Sequence, residues 1–244
     1  MDYATLPLDH ILFLDIETVP QNENYSDMSE RFRDLWDKKS RPFRSAEETG
    51  EEVYQRAGIY AEFGKIVCVS VGMAGGERDH PVFRLKSFFG HDEAALLTQF
   101  AQLLEKLSGQ KDLYLCGHNA KEFDFPYLSR RMIVNRISLP TPLQLAGKKP
   151  WEIKHLDTME LWKFGDYKSY TSLDLLTALF DIPTPKNDID GSQVADVYYK
   201  EKDLNRIVRY CEQDVLALAQ VFLRYRNAPL FDDSQVSSAT EWLD

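Results

Sequence analysis

Four short apolar runs, Ile11–Leu14, Ile66–Met73, Pro81–Phe88 and Leu113–Cys116, are interleaved with longer segments whose apolar residues recur at helical spacing. Runs of that length suit buried strands, and the longer segments suit amphipathic helices. Their interleaving is the pattern of an α/β domain. Gly75-Gly76 offers a turn that would join the second and third runs as a hairpin. Between 91 and 107 Ala94, Leu97, Phe100, Ala101 and Leu104 define a helix that Ser108-Gly109 stops. Pro126 can open a second helix continuing over Tyr127–Ile137, a third spans Ser172–Phe180, and a long one runs from Leu204 to Tyr225. Residues 138–156 read as a connection bearing prolines and lysines. Residues 21–60 read as a polar insertion of short helices and loop, with Trp36, Phe43 and Tyr54 among Lys38, Lys39, Arg41 and Arg44.

A chain of 244 residues with 43% hydrophobic and 28% charged residues can bury one core, and a single domain over 1–244 is expected. A net charge of −10 argues against a broad basic face gripping long duplex DNA, while leaving room for a local groove that holds a few phosphates. Cys68, Cys116 and Cys211 are too few and too scattered for a disulfide framework or zinc ribbon. Free thiols imply a reducing compartment, and Met1–His10 lacks a signal-peptide pattern. No apolar run approaches a membrane span. A cytoplasmic protein with no membrane partner is therefore expected.

Acidic residues at three places carry the chemistry. Asp15 and Glu17 follow the first apolar run two residues apart, so alternation along a strand puts both carboxylates on one face. Asp124 lies where the fourth run gives way to a helix, a place where an isolated aspartate simply favours a helix N-terminus. Tyr210 and Asp214 stand at i and i+4 on the last helix, beside Ile207, Val208 and Cys211. A carboxylate next to an apolar stripe needs a partner, and a metal would supply one. Each signal alone is weak. Asp157 with Glu160 matches a capping pattern and is read as a helix start. Lys148, Lys149, Lys154, Trp162, Lys163, Tyr167, Lys168 and Tyr170 combine cations with aromatic faces, as single-strand binding requires.

Taken together and in order, Phe13-Leu14-Asp15-Ile16-Glu17-Thr18, Gly117-His118-Asn119 through Phe123-Asp124, and Tyr210-Cys211-Glu212-Gln213-Asp214 resemble the three motifs of the DEDD exonuclease superfamily, tyrosine variety. The resemblance is nearest to the exonuclease domains of family B DNA polymerases and their stand-alone relatives, to which Asp190-Gly191-Ser192-Gln193-Val194 is also similar. The histidine variety would place a histidine where this chain has Arg209. The resemblance implies a ribonuclease-H-like α/β fold with a five-stranded mixed sheet flanked by helices and the first strand central. It implies two divalent cations, Mg²⁺ or Mn²⁺, held by Asp15, Glu17, Asp124 and Asp214, with Asp15 bridging them and Tyr210 orienting the attacking water. Thr18, His118, Asn119 and Phe123 are expected to meet substrate. The implied activity is 3′ to 5′ removal of nucleotides from single-stranded DNA, alone or beside a polymerase or repair partner in trans. An RNA-trimming exonuclease and a non-catalytic nucleic-acid-binding module of the same fold are the alternatives.

Overall fold

The computed structural model describes residues 3–77, 80–166, 168, 170–183 and 189–242. Its strands are β1 (Ile11–Pro20), β2 (Gly64–Glu77), β3 (His80–Phe89), β4 (Tyr114–Gly117), β5 (Leu156–Asp157) and β6 (Val236–Ser238), forming one mixed sheet in the order β5-β4-β1-β2-β3-β6. The helices are α1 (Glu30–Ser40), α2 (Glu93–Ser108), α3 (Asp124–Val134), α4 (Thr158–Lys163), α5 (Leu173–Leu179), α6 (Val194–Asp196) and α7 (Leu204–Tyr225). A π-helical turn at Val197–Glu201 follows α6.

The sheet has six strands where five were expected. The last, β6, adds in parallel to the outer edge of β3. With β5 it is only two or three residues long, too short to show a period, and β5 closes what the sequence suggested was a connection over 138–156. The hairpin also extends further than expected. Gly75 and Gly76 lie within the ladder opposite Val82 and Pro81, and residues 78–79, which join the strands, lie outside the described residues. Helix α3 stops at Val134, short of Ile137, because Arg136 turns to a left-handed φ of 59°.

Interior β1 divides the core by parity. Leu12, Leu14 and Ile16 pack with Leu97, Phe100 and Leu104 of α2 and with Phe125, Leu128 and Met132 of α3. Ile11 and Phe13 face Val215, Leu218 and Phe222 of α7, and Val19 meets Leu204, Ile207, Val208 and Cys211 at the start of that helix. Positions 15 and 17 therefore interrupt an otherwise apolar row directed at α7.

Residues 21–60 are built from α1 and short 3-10 turns and contribute to a small aromatic core. Trp36 is fully buried, its indole N–H donates to the Gly50 carbonyl at 2.7 Å, and Phe63 and Tyr54 pack edge-on against it. The insertion is fastened to the sheet side of the molecule by Gln21 N–H to the Phe63 carbonyl (2.8 Å), Tyr127 hydroxyl to the Gly58 carbonyl (2.7 Å) and Arg131 to the Ala61 carbonyl (2.9 Å). Arg131 also grips buried Glu93 with two bonds of 2.9 and 2.6 Å. This wall therefore has a fixed relation to the strands.

At the β4 edge, buried His155 accepts the Leu115 N–H on Nδ1 (3.2 Å) and donates from Nε2 to the Pro142 carbonyl (2.7 Å). Those roles require a neutral ring, and burial lowers its pKa to about 4. The unfolded chain takes up this proton near pH 6.5 and the folded chain does not until about pH 4, so acidification through that window removes stability. Urea unfolding of wild type and His155→Gln should show this directly. The advantage of wild type over the variant is expected to shrink by about 3 kcal/mol between pH 7 and 4, and a constant difference would contradict the assignment.

Candidate active site

The ladder between β1 and β4 ends at Phe13 opposite Cys116, leaving the rest of β1 open on that side. The chain turns back there. Gly117 has no room for a Cβ, which would stand 2.3 Å from that of Ala120, and Asn119 adopts a φ of 60°. The turn is clasped by Asp157, whose buried carboxylate accepts the backbone N–H groups of Asn119 (3.0 Å), Lys121 (3.0 Å), Met159 (3.0 Å) and Glu160 (3.2 Å). One side chain thus caps α4 and fixes the loop that delivers α3. The first residue of α3, Asp124, comes to the free edge of β1, where its own backbone amide and that of Ile16 favour its charged form.

On the α7 side, Asp15 and Glu17 meet Tyr210, Cys211 and Asp214. The Cys211 thiol donates to the Asp15 carbonyl (3.5 Å) and to Asp15 Oδ2 (3.4 Å). One oxygen each from Asp15 and Glu17 lies with Cys211 Sγ inside a 4.8 Å circle. The Tyr210 hydroxyl neighbours Asp214 and favours its charged form. Beside Glu17 the β1–β2 register slips, Glu17 pairing with Cys68 and Thr18 with Ile66, which leaves Val67 as a bulge. Bulges of this kind bend a strand and re-aim its side chains.

These four carboxylates are costly neighbours. Burial first, then Asp124 and Asp214, drives the Asp15 pKa well above the carboxylate range. Burial followed by Asp15 and Asp214 does the same to Glu17. Burial raises Asp124 to about 7 and Asp214 to about 6. Among the described residues none of the four forms an ion pair with Lys or Arg. A cluster of oxygen ligands that repel one another and lack a cationic side chain is chemically suited to hold divalent cations. Cys211 is not suited as a ligand, because burial holds its thiol protonated and it serves as a donor to Asp15. Burial and then the Asp214 charge raise the Tyr210 pKa, so the phenol stays protonated.

Asp15, Glu17, Thr18, Phe123, Tyr210 and Asp214 come together around a cavity of about 540 Å³. Asp124 lies behind it, 4% exposed, and joins the others through its repulsion of Asp15. His118 and Asn119 do not line it. Both ring nitrogens of His118 are engaged inside the protein, with Thr158 Oγ1 (2.9 Å) and the Thr171 carbonyl (2.8 Å). Asn119 lines a separate cavity of about 310 Å³ with Lys121, Lys148 and Lys163. Of the lysine and aromatic stretch only Tyr170 reaches the acidic cavity, and Tyr167 lies outside the described residues.

Sequence reasoning gave Asp157 only its capping role and passed over Glu212, Gln55, Arg56 and Ile59. Glu212 is buried, and its Oε1 accepts the hydroxyls of Ser87 (3.0 Å), Ser238 (2.9 Å) and Thr240, tying α7 to β3 and β6. The capping pattern was the available signal for Asp157, whereas the reach of Glu212 across more than a hundred residues left none. Asp157→Ala removes one acceptor and strands two backbone segments. It is expected to lower unfolding free energy by about 3 kcal/mol, a charge-assisted bond being worth roughly 1.5–3. Chemical denaturation measures this, and a loss below about 1 kcal/mol would mean that the clasp is incidental.

Residues 59–237 match the family model described as a predicted 3′-5′ exonuclease related to the exonuclease domain of PolB. The matched span contains Asp124, Tyr210 and Asp214, while Asp15 and Glu17 precede it. Among solved structures the chain is similar to the family B DNA polymerase from the hyperthermophilic archaeon Pyrobaculum calidifontis, at 17% identity and a TM-score of 0.51 over 90% of this chain. It spans about a quarter of that polymerase, 25% of its chain. No curated protein matches it. The likeness extends to the ribonuclease-H-like arrangement of sheet and helices, and no helix among the described residues is long and apolar enough to cross a membrane. With nearly three-quarters of its length covered by the family model, the chain belongs to the family of predicted 3′-5′ exonucleases related to the exonuclease domain of PolB, in keeping with an enzyme that hydrolyses phosphodiester bonds.

Proposed function

We propose that residues 1–244 act as one exonuclease domain that removes nucleotides successively from the 3′ end of single-stranded DNA, with Asp15, Glu17, Asp124 and Asp214 holding two divalent cations, Mg²⁺ or Mn²⁺. The observation that carries this reading is the convergence of four carboxylates from β1, α3 and α7, unpaired with any Lys or Arg among the described residues: Asp15, Glu17 and Asp214 line one cavity, and buried Asp124 repels Asp15. A non-catalytic module would have no reason to keep so costly a cluster. Bound there, the cations would neutralise charge on the phosphodiester and acidify the attacking water.

The protein's own groups divide the remaining tasks. Asp15 and Glu17 are presented by a strand buried on both faces, and Cys211 restrains Asp15 through its thiol, so the ligand oxygens are preorganised. A protonated phenol cannot serve as general base at neutral pH. The protonated Tyr210 hydroxyl lines the cavity beside Asp214, where it would hydrogen-bond the attacking water and hold it in line. Phe123 and Ile59 give the cavity apolar surface for a terminal base. Its volume is that of a site for one small ligand, which favours an unpaired strand end over a duplex. Three buried free thiols are in keeping with a cytoplasmic setting.

End-labelled DNA and RNA oligonucleotides, with Mg²⁺ or Mn²⁺ and with chelator, test the reading. A ladder shortening from the 3′ end of DNA is expected, and full activity in chelator would refute the metal sites. Asp15→Ala should lower the rate by more than about 100-fold, since even outer-shell partners of a metal are worth 10–100-fold. Its fold should persist, and Mn²⁺ should raise the melting temperature of wild type more than that of the variant. Tyr210→Phe should slow turnover by about 10–100-fold at saturating Mn²⁺. Because Tyr210 also restrains Asp214, its effect should be less than additive with Asp214→Ala. A wild-type rate for Tyr210→Phe, or strict additivity, would remove its assigned role.

A further inference from the structure

The insertion supplies part of the cavity's lining, placing Gln55, Arg56 and Ile59 of the turn Tyr54–Ile59 beside the carboxylate site. Arg56 is the one lysine or arginine among the described residues lining this cavity. It is exposed, pairs with no carboxylate among the described residues, and lays its guanidinium over the Phe43 ring at 4.4 Å from the centroid. Stacking on a ring that is itself stacked on Tyr60 (5.7 Å) limits the rotamers of the side chain while leaving its N–H donors free. The turn itself does not drift, because Gly58 abuts the backbone of Val19 and Pro20 and accepts the Tyr127 hydroxyl, while Tyr54 donates to the Asn22 carbonyl. A fixed guanidinium with unused donors, in a cavity otherwise lined by carboxylates and neutral groups, is suited to one anion arriving from solvent. A planar fork fits a phosphodiester in particular.

We propose that Arg56 is a substrate-binding residue that grips a backbone phosphate near the scissile linkage, with Gln55 beside it and Ile59 against a base, so that the insertion forms the substrate-holding wall of the site. The inference rests on the exonuclease reading, and it deepens that reading by giving the insertion a role. Arg56 lies outside the carboxylate cluster, so it contributes to binding the strand rather than to the chemical step.

The test uses a labelled oligothymidylate and the variants Arg56→Gln and Arg56→Lys. Arg56→Gln should raise KM by about ten-fold while kcat stays within about two-fold, and Arg56→Lys should fall between, because the charge remains and the fork is lost. Fluorescence anisotropy, which needs no turnover, should show the same loss of affinity and a salt dependence weaker by about one phosphate contact. Loosening of the aromatic core alone would not change that salt slope. In a series of oligonucleotides with one neutral methylphosphonate each, a single position near the 3′ end should abolish the difference between wild type and Arg56→Gln. Unchanged affinity and KM in Arg56→Gln, or a difference that persists at every methylphosphonate position, would overturn the role of Arg56. Absence of turnover in wild type, with the binding difference intact, would instead count against the exonuclease reading.

Discussion

The free edge of β1 beyond Phe13 is the constraint on which the site depends. Because β4 ends at Gly117, the backbone of β1 from Asp15 onward lacks a strand neighbour on that side, and a buried N–H without a partner is destabilising. Asp124 comes to this open edge, where the Ile16 backbone amide favours its charged form. The gap beyond Phe13 thus leaves room for a carboxylate from α3 beside the two that β1 carries on its α7 side. The tight turn at Gly117, the left-handed Asn119 and the Asp157 clasp all serve that delivery.

The third segment meets the strand by helical geometry. Tyr210, Cys211 and Asp214 stand at i, i+1 and i+4 and share the face turned to β1, whereas Glu212 is rotated by about 200° from Tyr210 at 3.6 residues per turn. Its carboxylate therefore points away from the site and gathers three hydroxyls from β3 and the segment that forms β6. The same five residues thus carry a proposed metal ligand, a thiol that restrains Asp15 and an anchor for the helix. Buried carboxylates meet opposite fates here. Glu212 and Asp157 are satisfied by hydroxyl and amide donors and hold structure together, while the cluster at Asp15 is left with few donors and raised proton affinity.

Much of this arrangement was legible in the sequence, and the limits have physical causes. The four longer strands and helices α2, α3, α5 and α7 announced themselves because burial imposes a period, and the parity argument placed Asp15 and Glu17 on one face. The short strands β5 and β6 did not, since two or three residues carry no period and their place is set by neighbours. Motif spacing singled out Asp124, Tyr210 and Asp214, but it could not tell residues that face the cavity from residues that brace it. His118 and Asn119 share a loop with Asp124, yet the His118 ring turns towards Thr158 and Thr171, and Asn119 meets Asp157 through its backbone N–H. The insertion was legible as composition and not as contact, because its aromatic core specifies a small folded unit without saying where that unit docks.

Docking of that unit bears on how an acidic chain can meet a polyanion at all. A formal charge of −10 repels a strand at long range, and the carboxylate cluster concentrates part of that charge at the point of reaction. Screening limits the repulsion to about 8–10 Å at ordinary ionic strength, so what matters is the charge inside the cavity. On the proposed reading, cations held by the cluster would reverse its sign locally, and Arg56 is the one lysine or arginine among the described residues that lines the same cavity. A strand bound there would be positioned by a few contacts rather than a basic track, and with so few anchors the proposed site would hold the end of a chain rather than a long stretch of it.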